Sequence, residues 1–161
     1  MKQTRFKTDH DFMEAALQEA VRAAGEGEVP VGAVGVIDDK IIARGHNRRE
    51  NKCDPLGHAE IEIIRKVSRQ LKSWRLTDLT IYVTLEPCLM CLGTMSQARI
   101  RGLVFGANDP VAGAFSKYMI LQDYIIFTVQ GGLLAKQALS LLKSFFRQRR
   151  KQGKIVEGAS R

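Results

Sequence analysis

Residues 79–91 read Leu79-Thr80-Ile81-Tyr82-Val83-Thr84-Leu85-Glu86-Pro87-Cys88-Leu89-Met90-Cys91. The first seven are β-branched, aromatic or leucine, the profile of a buried strand. Pro87 ends that strand and suits the start of a helix over about residues 88–98, where its missing N–H costs nothing. Upstream, Ile61, Ile64, Val67 and Leu71 recur at helical spacing from His58 onward, and Glu62, Arg65, Lys66, Arg69 and Lys72 form a mostly basic outer face. That is the pattern of an amphipathic helix. Before it lies a charged loop, 47–57, and before that two short β-rich runs, 31–37 and 40–45, joined by Asp38-Asp39 as a hairpin. Thr8, with Asp11 three residues on, caps a first helix that runs until Gly25 and Gly27 break it.

Downstream of residue 91 the sequence predicts a strand at 103–107, a loop holding Asp109, Pro110 and Gly113, and a strand at 125–129. A last helix follows, opened by Gly131-Gly132, with Leu133, Leu134, Ala138, Leu141, Leu142 and Phe145 as its apolar stripe. The order α, β, β, α, β, α, β, β, α specifies an α/β fold, a mixed sheet with helices on both faces. With no internal repeat or interior boundary, the expectation is one domain over residues 1–152 and a disordered basic tail over 153–161.

At 161 residues with 45% hydrophobic and 26% charged side chains, the chain closes one core. No apolar run approaches the roughly 20 residues of a membrane span, so a membrane protein is not expected. The start is polar and basic without an apolar segment, and the expected compartment is the cytoplasm. The net charge is +8, of which +6 falls in residues 143–161. A near-neutral body with a basic end points to an anionic partner such as nucleic acid, and equally describes a tail that is only solvated. Three cysteines (53, 88, 91) and three histidines (10, 46, 58) argue for metal or reactive thiols over a disulfide frame.

Two short groups carry the chemistry: His58-Ala59-Glu60, and about 27 residues later Pro87-Cys88-Leu89-Met90-Cys91. Each stands at the expected N-terminus of a helix, so its side chains project from a helix end. Cys88 and Cys91 are i, i+3 neighbours able to hold one Zn2+ as thiolates favoured by the helix dipole, and His58 supplies a third ligand. Three protein ligands leave a fourth position for water, the catalytic arrangement. Glu60, near that water without being a ligand, would take its proton and return it to the substrate. Two other readings of the same residues stand beside this one. One is a structural zinc closed by Cys53, which leaves Glu60 idle; the other is a redox CxxC pair, which lacks its usual context.

These groups are similar to the H-x-E and P-C-x-x-C signature of the zinc-dependent cytidine/deoxycytidylate-type deaminases. More of the chain resembles the tRNA adenosine deaminase branch. Residues 27–34 (GEVPVGAV), Gly45-His46-Asn47, Asp54-Pro55, Glu86 to Gly93, Ala98-Arg99-Ile100, Phe105-Gly106-Ala107 with Asp109, and residues 141–151 (LLKSFFRQRRK) all take part. The resemblance implies a three-layer α/β/α sandwich with a five-stranded mixed sheet, a cytidine deaminase-like fold. It also implies a homodimer and hydrolysis of adenosine to inosine at the wobble position of a tRNA anticodon stem-loop. By resemblance Glu60 is catalytic, and His58, Cys88 and Cys91 hold one Zn2+ per subunit. Asn47 would hydrogen-bond the flipped base, Val29 and Pro30 would line its pocket, and Asp109 would sit near its ribose. Phe146, Arg147, Arg149 and Arg150 would meet RNA, since aromatics among arginines suit unpaired bases and phosphates, with Phe145 in the core or an interface. From residue type alone, Asn47 also reads as a turn former and Asp109 as a loop cap.

The chain departs from the family pattern at Gly57, usually alanine, at Val111, usually basic, and at Gly113-Ala114-Phe115-Ser116. Residues 117–130 are also shorter and more apolar than usual. These positions bear on RNA context; the deamination residues are intact. Two rival functions share the metal residues. A free nucleobase or nucleoside deaminase for guanine or cytosine has no use for a basic aromatic tail, and a catalytically degenerate zinc-stabilised RNA-binding module has none for Glu60.

Overall fold

The computed structural model describes residues 8–118 and 125–153. Helix α1 (Asp9–Gly25) starts at a Thr8 capping box in which the Asp11 carboxylate accepts from the Thr8 amide at 2.7 Å. Strands β1 (Gly32–Ile37) and β2 (Lys40–His46) form the hairpin, with Asp38 and Asp39 both at positive φ. That pair of left-handed residues matches the turn to the twist of the strands. Then follow α2 (Ala59–Leu71), β3 (Thr80–Leu85), α3 (Leu89–Ala98), β4 (Gly102–Ala107), a single turn α4 (Ala114–Lys117), β5 (Thr128–Gln130) and α5 (Ala135–Lys151).

The five strands lie in the order β2-β1-β3-β4-β5. β1 pairs antiparallel with β2 and β3, whereas β3, β4 and β5 are parallel. Alternation along the strands divides the core. Ala33, Ile81, Val83, Leu103 and Phe105 face α2 and α3, packing on Ile63, Val67, Leu92 and Met95. Val34, Val36, Tyr82 and Val104 face the other way, onto Phe12, Met13 and Ala16 of α1. Helix α5 packs beside α1 on that face, against β3 and β4. The result is the three-layer α/β/α sandwich with a five-stranded mixed sheet expected for a cytidine deaminase-like fold. Tyr82 fastens α1 to the sheet by donating its hydroxyl to Asp9 at 2.6 Å; burial first, and this carboxylate second, hold its phenol well above the usual value.

Three elements differ from the sequence expectation. The last strand covers Thr128–Gln130 and not 125–129, because pairing starts where Gly102 meets Thr128. The apolar residues before it serve as loop: Phe127 is buried in the core while Ile126 is exposed. The last helix starts at Ala135 and not at Gly131-Gly132, after Leu134 in a left-handed conformation. The short α4 forms inside a segment expected to be loop, a single turn after Gly113. Met119, Ile120, Leu121 and Tyr124 of the apolar segment, and residues 154–161 of the expected tail, lie outside the described residues. Among those described, no helix is long and apolar enough to cross a membrane.

Candidate active site

The sheet order brings the two chemical groups together. β2 runs antiparallel to β1, and β1 antiparallel to β3, so β2, β3 and β4 end at the same edge of the sheet. The chain leaves β2 for α2 and β3 for α3 at that edge. His58 is the N-cap of α2 and Cys88 the N-cap of α3, both in extended conformation, with Cys91 in the first turn of α3. Neither N-cap side chain makes a capping hydrogen bond to its helix, and both point to the space between the helix ends.

There, His58 Nδ1 lies 3.6 Å from Cys88 Sγ and 3.4 Å from Cys91 Sγ, and the sulfurs are 3.7 Å apart. Donors bound at about 2.0–2.3 Å to one tetrahedral ion stand roughly 3.5–3.8 Å from each other, so the triangle has the size a metal requires. Among the described residues His58, Cys88 and Cys91 are the group able to hold a metal ion. Cys91 and His58 are buried and Cys88 half-buried, which leaves access from the Cys88 side. Nδ1 is the nitrogen facing the thiols, so the ring proton of the metal-binding form belongs on Nε2. Cys53 stays outside: it is exposed, and its thiol donates to the Glu50 carbonyl at 3.7 Å. The arrangement with Cys53 as a fourth ligand is therefore not formed.

Glu60 is fully buried in the first turn of α2, two residues after His58. Asn47, just past the end of β2, is also buried, and its Nδ2 donates to Glu28 Oε2 at 3.3 Å. Pro30 is buried and Val29 half-buried on the segment leading into β1. Asp109 Oδ1 accepts from the amides of Val111 and Ala112, both at 3.0 Å, the loop-cap role its residue type suggests. On α5, Phe145 is buried and Phe146 half-buried, while Arg147 and Arg150 are exposed. Arg149 is half-buried, donates to the Gly27 carbonyl and lies 5.2 Å over the Phe145 ring.

Sequence reasoning gave no role to two residues that shape this site. Glu28 accepts from Asn47 Nδ2 and from the amides of Glu50 (3.2 Å) and Asn51 (2.7 Å). Glu86 accepts from the amides of Asp109 (2.8 Å) and Ser116 (2.6 Å) and from the Ser116 hydroxyl (2.5 Å). Both carboxylates have zero exposure. Their signal in the sequence is an acid set among apolar residues next to proline, in Glu28-Val29-Pro30 and Leu85-Glu86-Pro87. A side chain on Gly113 would stand 2.4 Å from the Glu86 carboxyl carbon, so this clamp requires glycine there. The departure at Gly57 also has a local cause: a Cβ would meet the Asp54 carbonyl oxygen at 3.0 Å and the Arg48–Arg49 backbone at 3.1 Å. Phe115, another departure, stacks on Phe105 at 5.8 Å between centroids.

His46 bridges two carboxylates, with Nδ1 3.2 Å from Glu19 and Nε2 3.2 Å from Glu26. That hydrogen bond, reinforced by the charges of His46, Arg48 and Arg22, holds the Glu26 carboxyl below its usual range. The Leu56 amide, and then Arg65, do the same for Asp54 in the loop before His58.

Two cysteine sulfurs and an imidazole at converging helix ends, spaced as a metal ion would need, with a buried carboxyl group two residues from the imidazole, form the pattern of a hydrolytic deaminase on a cytidine deaminase-like fold. The family model of the MafB19-like deaminases matches residues 7–150, and the chain belongs to that family. It is 42% identical over 152 residues to the tRNA-specific adenosine deaminase of Bacillus subtilis, covering 92% of this chain and 94% of the relative. A structure solved in a study of A-to-I editing by tRNA:A34 deaminases superposes with a TM-score of 0.76 at 41% identity, over 81% of this chain and 98% of that one. The guanine deaminase of Bacillus subtilis superposes less completely, with a TM-score of 0.61 at 36% identity over 63% of this chain and 66% of its own.

Proposed function

We propose that this chain is a zinc-dependent enzyme that hydrolyses adenosine to inosine at position 34 of tRNA, acting as a cytoplasmic homodimer. The observation that carries the reading is the placement of Glu60, fully buried in the first turn of the helix that His58 caps, beside a donor triangle of metal size. His58, Cys88 and Cys91 would hold the ion. Zinc supplies Lewis acidity that lets water act as a nucleophile near neutral pH. Glu60 takes a proton from that water and delivers it to adenine N1 as the C6–O bond forms. It then carries the proton of the new C6 hydroxyl to the exocyclic nitrogen, and the C6–N bond breaks as the C6 carbonyl forms, releasing ammonia.

Asn47, held by Glu28, presents its amide to the flipped base, and Val29 and Pro30 form a wall of the pocket. Asp109, on the loop clamped by Glu86, lies toward the ribose. Phe146, Arg147 and Arg150 on the exposed end of α5 suit the unpaired bases and phosphates of an anticodon stem-loop. Exposed Leu56, Leu89 and Val111, each close in sequence to a site residue, support a face covered by a second copy.

The test incubates the protein with tRNA and sequences the cDNA for A-to-G change at the wobble position, assaying ammonia from free guanine and cytosine in parallel. Glu60→Gln is expected to keep stoichiometric metal and to lose turnover by roughly 10²–10⁴-fold or more. Ammonia from a free base with tRNA untouched rejects the substrate, full activity in Glu60→Gln rejects the mechanism, and a monomer mass by light scattering rejects the dimer.

A further inference from the structure

The turn between α1 and β1 gathers three parts of the molecule at three consecutive residues. Glu26 Oε2 lies 3.2 Å from Nε2 of His46, the last residue of β2. The Gly27 carbonyl accepts from Nη2 of Arg149 in the last turn of α5. Glu28 accepts from Asn47, Glu50 and Asn51. The next two residues are Val29 and Pro30. Arg149 is seated on its other side too, over the ring of buried Phe145, which meets Phe146 edge-on at 5.4 Å. Its neighbours Arg147 and Arg150 are exposed and take no part in this contact.

We infer that Arg149 is a positioning residue and not an RNA ligand: it latches the end of α5 to the turn that carries the wall of the base pocket. The inference rests on the adenosine-34 reading for the identity of that pocket. A guanidinium spreads its donors over a planar fork, so one N–H reaches a carbonyl while the group lies over an aromatic ring, whereas an ammonium holds charge and donors at one point and serves two such partners less well. With Nη2 on the Gly27 carbonyl and its guanidinium carbon 5.2 Å over the Phe145 ring, Arg149 is committed inside the protein. What it contributes is the distance between the RNA-facing helix end and residues 26–30. A pocket wall displaced by an ångström or so lowers the rate of the chemical step, because the reacting groups lose alignment. A lost phosphate contact instead lowers affinity and the salt dependence of binding.

The full-length zinc-loaded protein and its Arg149→Ala, Arg149→Lys and Arg147→Ala variants are compared on an anticodon stem-loop RNA with adenosine at the wobble position. The readouts are kcat, KM, the salt slope of RNA binding, and amide hydrogen exchange over residues 26–30 and 47–51. Both Arg149 variants are expected to lose kcat by roughly tenfold or more at nearly constant KM, and to exchange faster in these two segments. Arg147→Ala is expected to bind RNA more weakly, with a salt slope shallower by about one unit, at unchanged exchange. An Arg149→Lys protein that behaves as wild type overturns the latch, because a phosphate ligand tolerates lysine far better than a two-sided contact shaped for a planar fork. So does Arg149→Ala with weakened binding, a shallower slope and an intact kcat. If the wild type leaves the RNA adenosine untouched, the proposed substrate fails. The latch then stands or falls on the exchange rates, and unchanged exchange in both Arg149 variants overturns it. Should Arg149→Ala not fold, Arg149→Lys decides alone.

Discussion

Burying a carboxylate is costly unless hydrogen bonds replace the water it loses, and Glu28 and Glu86 each replace it with three donors from a neighbouring loop. The two residues therefore act on loops they are not part of. Glu28 fixes residues 47–51 and Glu86 fixes residues 109–116, which carry Asn47 and Asp109. Glu86→Ala removes the acceptor of two amides and a hydroxyl that are part-buried, Ser116 being open enough for water to replace it. We expect a loss of about 1–3 kcal/mol in urea unfolding, the cost of roughly one unpaired buried group. A loss below about 1 kcal/mol would mean that the loop turns outward to water. The candidate metal donors and Glu60 were legible from spacing because helix ends impose a local geometry on HxE and CxxC. The clamps were not, because their partners lie 19 to 30 residues away.

At the scale of elements, local rules placed α1 through its Thr8 cap and the hairpin through Asp38-Asp39, since both depend on neighbours in the chain. β5 and the start of α5 were displaced by several residues, because a strand exists only where a partner offers hydrogen bonds, here from Gly102 onward. The junction between α1 and β2 gives a pH dependence. Glu26, at the C-cap of α1, is held ionised chiefly by its hydrogen bond with His46. Because its folded pKa lies below the ordinary 4.5, its contribution is present above that pH and is lost as pH falls through the folded value. Unfolding curves measured down the acid limb should fall less steeply for Glu26→Gln than for wild type, with the two converging once the carboxyl is protonated. Parallel curves would show that the His46 contact does not persist in solution. Helix α5 also limits which tail variants are informative. Truncation after Leu142 removes buried Phe145 and the Arg149 contact along with the charges, so substitutions at Arg147 and Arg150 are the cleaner probes of RNA binding.

For the whole molecule, the candidate metal site joins the two halves of the chain, since His58 and Cys91 sit 33 residues apart at the ends of separate helices. An ion bound there and not to the unfolded chain adds stability by mass action. Chelation is expected to lower the melting temperature by several degrees and readdition of zinc to restore it, whereas a melting temperature indifferent to both would mean that the triangle holds no ion in solution. The sequence by itself determined the order of elements, the α/β class, the three candidate metal donors with Glu60 two residues after His58, and a net charge of +8 concentrated near the C-terminal end. These follow from periodicity, capping and residue chemistry, which act over a few residues. Only the tertiary structure decided that β2, β3 and β4 end at one edge, which brings His58 within 3.4 Å of Cys91. It also decided that Glu28 and Glu86 hold the loops 47–51 and 109–116, that Cys53 stands apart, and that Arg149 turns inward while Arg147 and Arg150 face solvent. Burial and partnership across a sheet depend on which distant segments share a face, and local spacing does not encode that choice.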